Sequence, residues 1–339
     1  MTQTIIPKDE AEWKRLRVED VTSTDAAALF DCSPYLTCFE LFHRKKDKLV
    51  VEFTPSERMS WGTRLQDAIA AGIAEDNKWT IRRMSEYMRL EKLRAGASFD
   101  FAIETDECGC GHKRGGHVYD EGMCRSGVAC ECKEFRGTTE GGLLEIKNVD
   151  SLAFKDGWIV EGDDIQAPPH IEIQVQHQLM VSGRKYAYIG ALVGGNRLVL
   201  VKRDRDEAII KAIRAKVVAF WKSIEAGQEP KPDFSKDAGF ITKLYGYAEP
   251  GKVMDAKEDE SMTYLVDRYK KLGEEKRASE AAQDEAKAEI LRRIGDHEKV
   301  LGKNYTLSAG LVAEAEIKFT RKPYRSFKLS WKKNGKENA

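Results

Sequence analysis

Gly142-Leu143-Leu144-Glu145-Ile146-Lys147-Asn148-Val149 is the stretch that decides the fold. Its apolar residues predict a short buried β-strand that carries a carboxylate and an ammonium two residues apart. Side chains alternate across a strand, so Glu145 and Lys147 project from one face while Leu144 and Ile146 face the other way, into a core. Such a pair, with an acid supplied from upstream, can hold a divalent metal and orient an attacking water, the equipment for metal-assisted phosphodiester hydrolysis. Glu-x-Lys occurs seven times, at Glu12, Glu131, Glu145, Glu229, Glu274, Glu285 and Glu316. Most of these lie in charged helical or loop surroundings, as solvated surface pairs. Only Glu145 and Glu316 sit in strand-like apolar surroundings.

The neighbours strengthen the reading. Upstream, Arg94-Ala95-Gly96-Ala97-Ser98-Phe99-Asp100-Phe101-Ala102-Ile103 suits a strand that brings Asp100 beside Glu145 in a hairpin-like pair. Downstream, His170 to Met180 reads as a helix with Ile171, Val175, Gln178 and Leu179 as its buried stripe. Gln174 and Gln178 are one turn apart on a shared face, in reach of a phosphate or a metal-bound water. Tyr186–Gly195 and Leu198–Val201 read as two strands joined by a Gly-Gly-Asn turn. An amphipathic helix follows, with Ile209, Ile213, Val217, Phe220 and Ile224 at helical spacing.

The order Asp100, then Leu-Leu-Glu-Ile-Lys at 143–147, then Gln-Val-Gln-His-Gln-Leu-Met-Val-Ser-Gly at 174–183 resembles the YqaJ-type viral recombinase nucleases. These are relatives of phage lambda exonuclease within the PD-(D/E)xK nuclease superfamily. Val21–Tyr35 is similar to that family's opening segment, and Trp61-Gly62-Thr63-Arg64-Leu65 to its next helix. The resemblance covers roughly residues 12–235. It implies a mixed central sheet flanked by helices, with Asp100 and Glu145 as ligands of Mg²⁺ (or Mn²⁺) and Lys147 as the residue that positions or activates water. Gln174 matches the glutamine of the family's post-catalytic helix. Arg17 and Thr24 match an arginine and a serine that grip a DNA 5′-phosphate, with their spacing of seven kept and Thr in place of Ser. Where the family has a glutamate after Gly-x-Arg-Leu, this chain has Gln66, an amide that can accept a water or metal contact but brings no charge. Asp67 is next door, but a helix points it about 100° away.

A second chemistry lies between the two acids. Cys108, Cys110, His112, His117, Cys124, Cys130 and Cys132 place five of the seven cysteines and two of the six histidines within 25 residues. Thiolate and imidazole are preferred zinc ligands, and the six glycines between Gly109 and Gly127 let the chain wrap a tetrahedron. Few apolar residues are present to build a core, so a metal is expected to order the segment. Cys110, His117, Cys124 and Cys132 are the favoured ligands, with Cys108 and Cys130 as rivals; disulfides or a redox cluster are the alternatives. Such a zinc is structural. Cys32 and Cys38 read as small buried apolar residues.

With 339 residues the chain has room for two or three domains. The boundaries expected are 1–60 for an N-terminal helical segment with the 5′-phosphate motif, 61–228 for the nuclease core with its zinc insertion at 106–136, 229–260 for a linker, and 261–339 for a C-terminal helix and basic β segment. No run of about 18 apolar residues is present, so no membrane span is expected. The N-terminus lacks a signal-peptide pattern, which points to a cytoplasm, the host's for a phage protein. Net charge is zero, from 56 basic and 56 acidic residues. That balance argues against a nonspecific DNA coat and permits a local basic groove.

Residues 229–260 hold Pro230, Pro232 and Pro250 and read as irregular. A long charged helix then spans 261–294 with a thin stripe of Leu265, Tyr269, Leu272, Ala282, Ala286, Ile290 and Ile294, suited to a partner helix or another subunit. Lys318–Lys333 carries seven basic residues, four aromatics and no acid, a pattern for backbone contacts plus base stacking or for a hairpin with a solvated basic face.

The expected function is a Mg²⁺-dependent double-stranded DNA exonuclease of phage recombination. The resemblance implies 5′→3′ digestion of DNA ends to leave a 3′ single strand for an annealing protein, and a homo-oligomer, a ring trimer. The alternative is a nucleic-acid-binding adapter with a degenerate nuclease core, suggested by Gln66. A third reading is an endonuclease resembling the iron–sulfur nucleases of CRISPR adaptation; there the cysteines flank the core rather than interrupt it.

Overall fold

The computed structural model describes residues 2–49, 56–104, 141–162, 164–314, 316, 324–327 and 329. From the N-terminus the chain runs through β1 (Gln3–Ile5), α1 (Glu10–Glu19), β2 (Val21–Thr22), a 3₁₀ turn (Ala26–Phe30), α2 (Cys38–Lys46) and α3 (Glu57–Asn77). There follow β3 (Ile81–Arg83), β4 (Tyr87–Leu90), β5 (Ala95–Ala97), β6 (Phe101–Ile103), β7 (Leu143–Val149) and α4 (Ser151–Gly157). Next come the hairpin of β8 (Ile159–Glu161) and β9 (Asp164–Gln166), α5 (Pro169–Ser182), β10 (Tyr186–Val193), β11 (Arg197–Asp204) and α6 (Glu207–Glu225). A second 3₁₀ turn (Glu91–Leu93) lies between β4 and β5, and helices α7 (Phe234–Leu244) and α8 (Glu260–Ile294) and the hairpin of β12 (Lys299–Leu301) and β13 (Thr306–Ser308) complete the described elements. The chain divides into two compact units, Met1–Ile241 and Thr242–Ala339.

The first unit is mixed α/β. Its main sheet has the order β11-β10-β7-β6-β3, in which β10 runs parallel to β7 and the other neighbours are antiparallel. A parallel neighbour needs a crossover, and α5 supplies it. The alternation expected of the 142–149 stretch is what places this sheet between two helical layers. Leu144 and Ile146 pack with Ile69, Ala70 and Ile73 of α3. Leu143 shares the larger core with Val175 and Leu179 of α5. Glu145 and Lys147 therefore face the α5 side. Leu144 is 1% exposed, and truncating it to Ala costs about 2–5 kcal/mol through lost burial and the cavity left behind. Arg184, buried just past α5, donates to the carbonyls of Gly141 and Gly142 at 2.8 and 3.0 Å and so pins the entry to β7.

The Gly-Gly-Asn turn joins β10 to β11 as expected. Gly194 and Gly195 take positive φ of 60° and 78°, the left-handed pair that a tight hairpin turn demands. Helix α6 is capped by Asp206, whose carboxylate accepts from the Ala208 and Ile209 N–H groups. Its buried stripe is Ile210, Ile213, Val217, Phe220 and Trp221, while Ile209 is 39% exposed. The expected stripe thus started one residue early. Helix α5 is buried almost all round, including Gln174, Gln176, His177 and Gln178, and ends at Gly183 with φ 77°.

A second sheet, of order β1-β4-β5-β2, shows that the N-terminal segment, expected as helical, also contributes strands. The stretch 229–260, expected to be irregular, contains α7. In the second unit α8 spans the expected long helix, and none of its described residues is buried. Its Tyr269 meets Phe327 edge-on at 5.2 Å between ring centroids. The proposed zinc segment 108–132, with Cys108, Cys110, His117, Cys124, Cys130 and Cys132, and most of the basic stretch 318–333 lie outside the described residues. Cys32 and Cys38 are half-buried rather than fully buried, and burial pushes the Cys38 thiol up to about 11.

Candidate active site

The strand pair β6–β7 brings the two acids together. The Ile146 N–H, beside Glu145, donates to Asp100 Oδ2 at 2.8 Å, which fixes Asp100 against the strand that carries Glu145 and Lys147. Glu145 is 5% exposed, and both of its carboxylate oxygens accept hydrogen bonds. Its Oε1 accepts from Lys147 Nζ at 2.7 Å and from Gln174 Nε2 at 2.6 Å, and its Oε2 accepts from Gln178 Nε2 at 2.8 Å. Lys147 Nζ also donates to Gln174 Oε1 at 3.1 Å, closing a ring of three side chains. A carboxylate taken out of water needs such donors, and each bond to a charged oxygen contributes about 1.5–3 kcal/mol.

The electrostatics follow from this packing. Burial pushes the Asp100 carboxyl up to about 7, and the nearby Glu145 charge adds to the rise; the Ile146 N–H and the Gln66 amide pull the other way. Burial works against the Lys147 ammonium, but Glu145 and then Asp100 outweigh it, so its pKa lies above the ordinary lysine value. The Lys147 side chain keeps 23% exposure, so the charge is held in place yet reachable from solvent. Among the described residues no three His, Cys, Asp or Glu side chains converge. The donor set at this point is two carboxylates with amides around them, hard oxygens of the kind Mg²⁺ and Mn²⁺ take. Two carboxylates held close in a poorly solvated site repel, and a divalent cation relieves that repulsion. One carboxamide oxygen, Gln178 Oε1, is buried with no partner.

The remaining expected residues divide. Gln174 lies where the helix periodicity put it. Gln178, expected to reach toward a phosphate, is 2% exposed and instead turns its amide to Glu145 and to the Ser98 carbonyl at 3.1 Å. Gln66 on α3 lies beside Asp100 and accepts from Arg83 Nη2 at 3.3 Å, while Asp67 pairs with Arg83 at the exposed surface.

Arg17 and Thr24 do meet. Arg17 Nη2 donates to Thr24 Oγ1 at 3.0 Å, and the Thr22 and Thr24 hydroxyls are 3.1 Å apart. The guanidinium lies over the Trp13 ring at 4.5 Å. Behind them Lys45, almost wholly buried, donates to the carbonyls of Arg17 and Asp20, both at 2.7 Å, and pairs with Asp25 at 2.8 Å. Asp20 in turn accepts from Tyr87 at 3.1 Å and Arg89 at 2.7 Å. Together these bonds lock the end of α1 to the loop that carries Thr24.

Ser98, which sequence reasoning did not single out, joins the two clusters. Its Oγ accepts from Trp13 Nε1 at 2.8 Å, and its carbonyl accepts from Gln178, which holds Glu145. The only sequence signal was its place two residues before Asp100.

Residues 12–185 match the YqaJ-like viral recombinase domain. The uncharacterized protein YqaJ of Bacillus subtilis (strain 168) is 25% identical over 263 residues, covering 75% of this chain and 70% of that protein. Among solved structures, an alkaline exonuclease from Laribacter hongkongensis, LHK-Exo, aligns at 18% identity with a TM-score of 0.43, over 68% of this chain and 99% of that one. The same protein in complex with dAMP aligns equally. The domain match spans just over half of the sequence, and on it the chain belongs to the YqaJ-like viral recombinase domain family.

Proposed function

We propose that this chain is a metal-dependent deoxyribonuclease with a PD-(D/E)xK-type core, acting as a double-stranded DNA exonuclease in phage recombination. The observation that carries the reading is the convergence of Asp100, Glu145 and Lys147 with Gln174 around one partly exposed point. Asp100 and Glu145 would hold Mg²⁺ or Mn²⁺, and the bound ion would supply neutralisation of charge on the scissile phosphate. Lys147, a donor to Glu145 and Gln174, is aimed to orient a water for in-line attack and to stabilise the negative charge that develops. Gln174 and Gln178 keep the Glu145 carboxylate in one rotamer, so the ligand is pre-organised. Arg17 and Thr24 form an anion grip for a 5′-phosphate, since a guanidinium offers paired donors to phosphate oxygens.

The resemblance to phage lambda exonuclease extends the proposal to digestion in the 5′→3′ direction that leaves a 3′ single strand, an annealing-protein partner and a homo-oligomer, a ring trimer, and the N-terminal sequence extends it to the host cytoplasm. The 108–132 segment is proposed as a structural zinc module, with Cys110, His117, Cys124 and Cys132 or their rivals Cys108 and Cys130 as ligands. No described helix is long and apolar enough to cross a membrane. A second reading, a DNA-binding adapter with a degenerate core, draws on Gln66, which brings an uncharged amide to the side of Asp100. Linear duplex DNA labelled at its 5′ or 3′ ends and incubated with Mg²⁺ separates the two. The exonuclease releases 5′-terminal nucleotides first, while the adapter binds DNA and leaves the label in place.

A further inference from the structure

We propose that Tyr35 and His170 form a shelf at the mouth of the acid centre on which a base of the cut DNA strand stacks; this rests on the nuclease reading above. Tyr35 exposes 82% of its surface, yet the turn beneath it is firmly built. Pro34 fixes its own backbone φ just before the ring. Ser33 Oγ accepts from the backbone N–H groups of Tyr35 at 3.3 Å and Leu36 at 3.2 Å. Thr37 then caps α2, its hydroxyl accepting from the Glu40 N–H at 3.0 Å. The ring stands on this base in a T-shaped contact with His170, the centroids 5.9 Å apart and the planes at 89°. A T-shaped contact occupies at most one face of the tyrosine, and with the residue this exposed a face stays open to a second ring.

His170 ties the shelf to the site. It lies in the first turn of α5, and Gln174 and Gln178 follow it at four-residue steps along one helix face. Those two glutamines hold Glu145, and Gln174 also receives Lys147. One helix face therefore leads from the Glu145 grip to His170 and Tyr35, each four-residue step rising about 6 Å. A single nucleic-acid strand advances about 3.4 Å per nucleotide, so a shelf one step outward meets a base within one or two nucleotides of the scissile phosphate. Tyr35 and His170 both lie within electrostatic reach of the Lys147 ammonium. Every base offers a flat face, so stacking tolerates any sequence. That suits an enzyme that must accept each nucleotide in turn. The ring, rather than the phenol oxygen, is the working part.

The test is steady-state digestion of linear duplex by the full chain, comparing wild type, Tyr35→Ala and Tyr35→Phe. A second substrate carries an abasic site at the first or second nucleotide of the cut strand. The shelf predicts that Tyr35→Ala raises KM by about tenfold or more with kcat within about twofold, and that Tyr35→Phe matches wild type. It also predicts that the abasic site slows wild type but adds little to Tyr35→Ala, because both remove the same contact. An unchanged KM in Tyr35→Ala, a loss confined to kcat, or an abasic penalty equal in both proteins overturns the shelf and leaves the nuclease reading standing. A wild-type protein that cuts no DNA overturns both.

Discussion

Asp100→Asn is expected to stabilise the metal-free protein while abolishing its activity. The side chains are nearly isosteric, and the asparagine oxygen can still accept the Ile146 N–H that Asp100 Oδ2 receives at 2.8 Å. What the substitution removes is charge. In the fold, burial and then Glu145 raise the Asp100 carboxyl from 3.8 to about 7. The folded protein therefore binds a proton between about pH 4 and pH 7 that the unfolded chain has released, so stability falls as pH rises through that window and stays lowered above it. A rise of that size corresponds to about 4 kcal/mol. Asp100 keeps part of its surface in water, so screening reduces the expected penalty to about 2 kcal/mol. At pH 8 in EDTA, Asp100→Asn should then melt higher by about 4–8 °C, given the size of the first unit. At pH 4 the two proteins should melt together. Added Mg²⁺ should raise the melting temperature of wild type and leave the variant unmoved. The assay is thermal unfolding across pH with EDTA or Mg²⁺. A variant less stable than wild type at pH 8 in EDTA, or one with the same pH slope, refutes the claim that two crowded carboxylates await a cation.

Three further outcomes follow from other parts of the structure. Arg17→Ala should erase a preference for 5′-phosphorylated over 5′-hydroxyl duplex ends while leaving the rate on 5′-hydroxyl ends intact; equal wild-type rates on both ends would defeat the phosphate grip. Gly96→Ala should destabilise the first unit by about 1–3 kcal/mol in urea unfolding, because the added Cβ collides with the Tyr87 hydroxyl and comes within 2.8 Å of Asp20, breaking a buried hydrogen bond; unchanged stability would show that this network is slack. Elemental analysis should find about one zinc per chain, released by Cys124→Ser with new protease sensitivity around 108–132; iron with a visible absorption band would replace zinc by a redox cluster.

Much of the site was legible because it is written in local periodicity. The alternation of Leu143 to Lys147 put two charges on one face of a buried strand, and the four-residue step from Gln174 to Gln178 put two amides on one face of a helix. What sequence could not supply is the direction in which those amides point. Gln178 turns inward to Glu145 because that carboxylate, at 5% exposure, needs donors that water cannot bring. Lys45 and Ser98 escaped notice because their bonds reach across 20 to 85 residues of chain, where no period signals a partner. The phase of α6 slipped by one because Ile209 and Ile210 are chemically alike, and packing, rather than hydropathy, chooses Ile210. Helix α7 hid behind Pro230 and Pro232, which mark the end of one element but say nothing about how soon the next begins.

The central claim is that Glu145 and its neighbours run metal-dependent hydrolysis, and one measurement bears on it most directly. Linear duplex DNA is digested with Mg²⁺, with EDTA, and by Glu145→Gln, a variant that keeps the size of the side chain and removes its charge. The account predicts digestion by wild type with Mg²⁺, none with EDTA, and a rate for Glu145→Gln lower by a factor on the order of 10² or more. Digestion by Glu145→Gln at the wild-type rate, or wild-type digestion undiminished in EDTA, would contradict it.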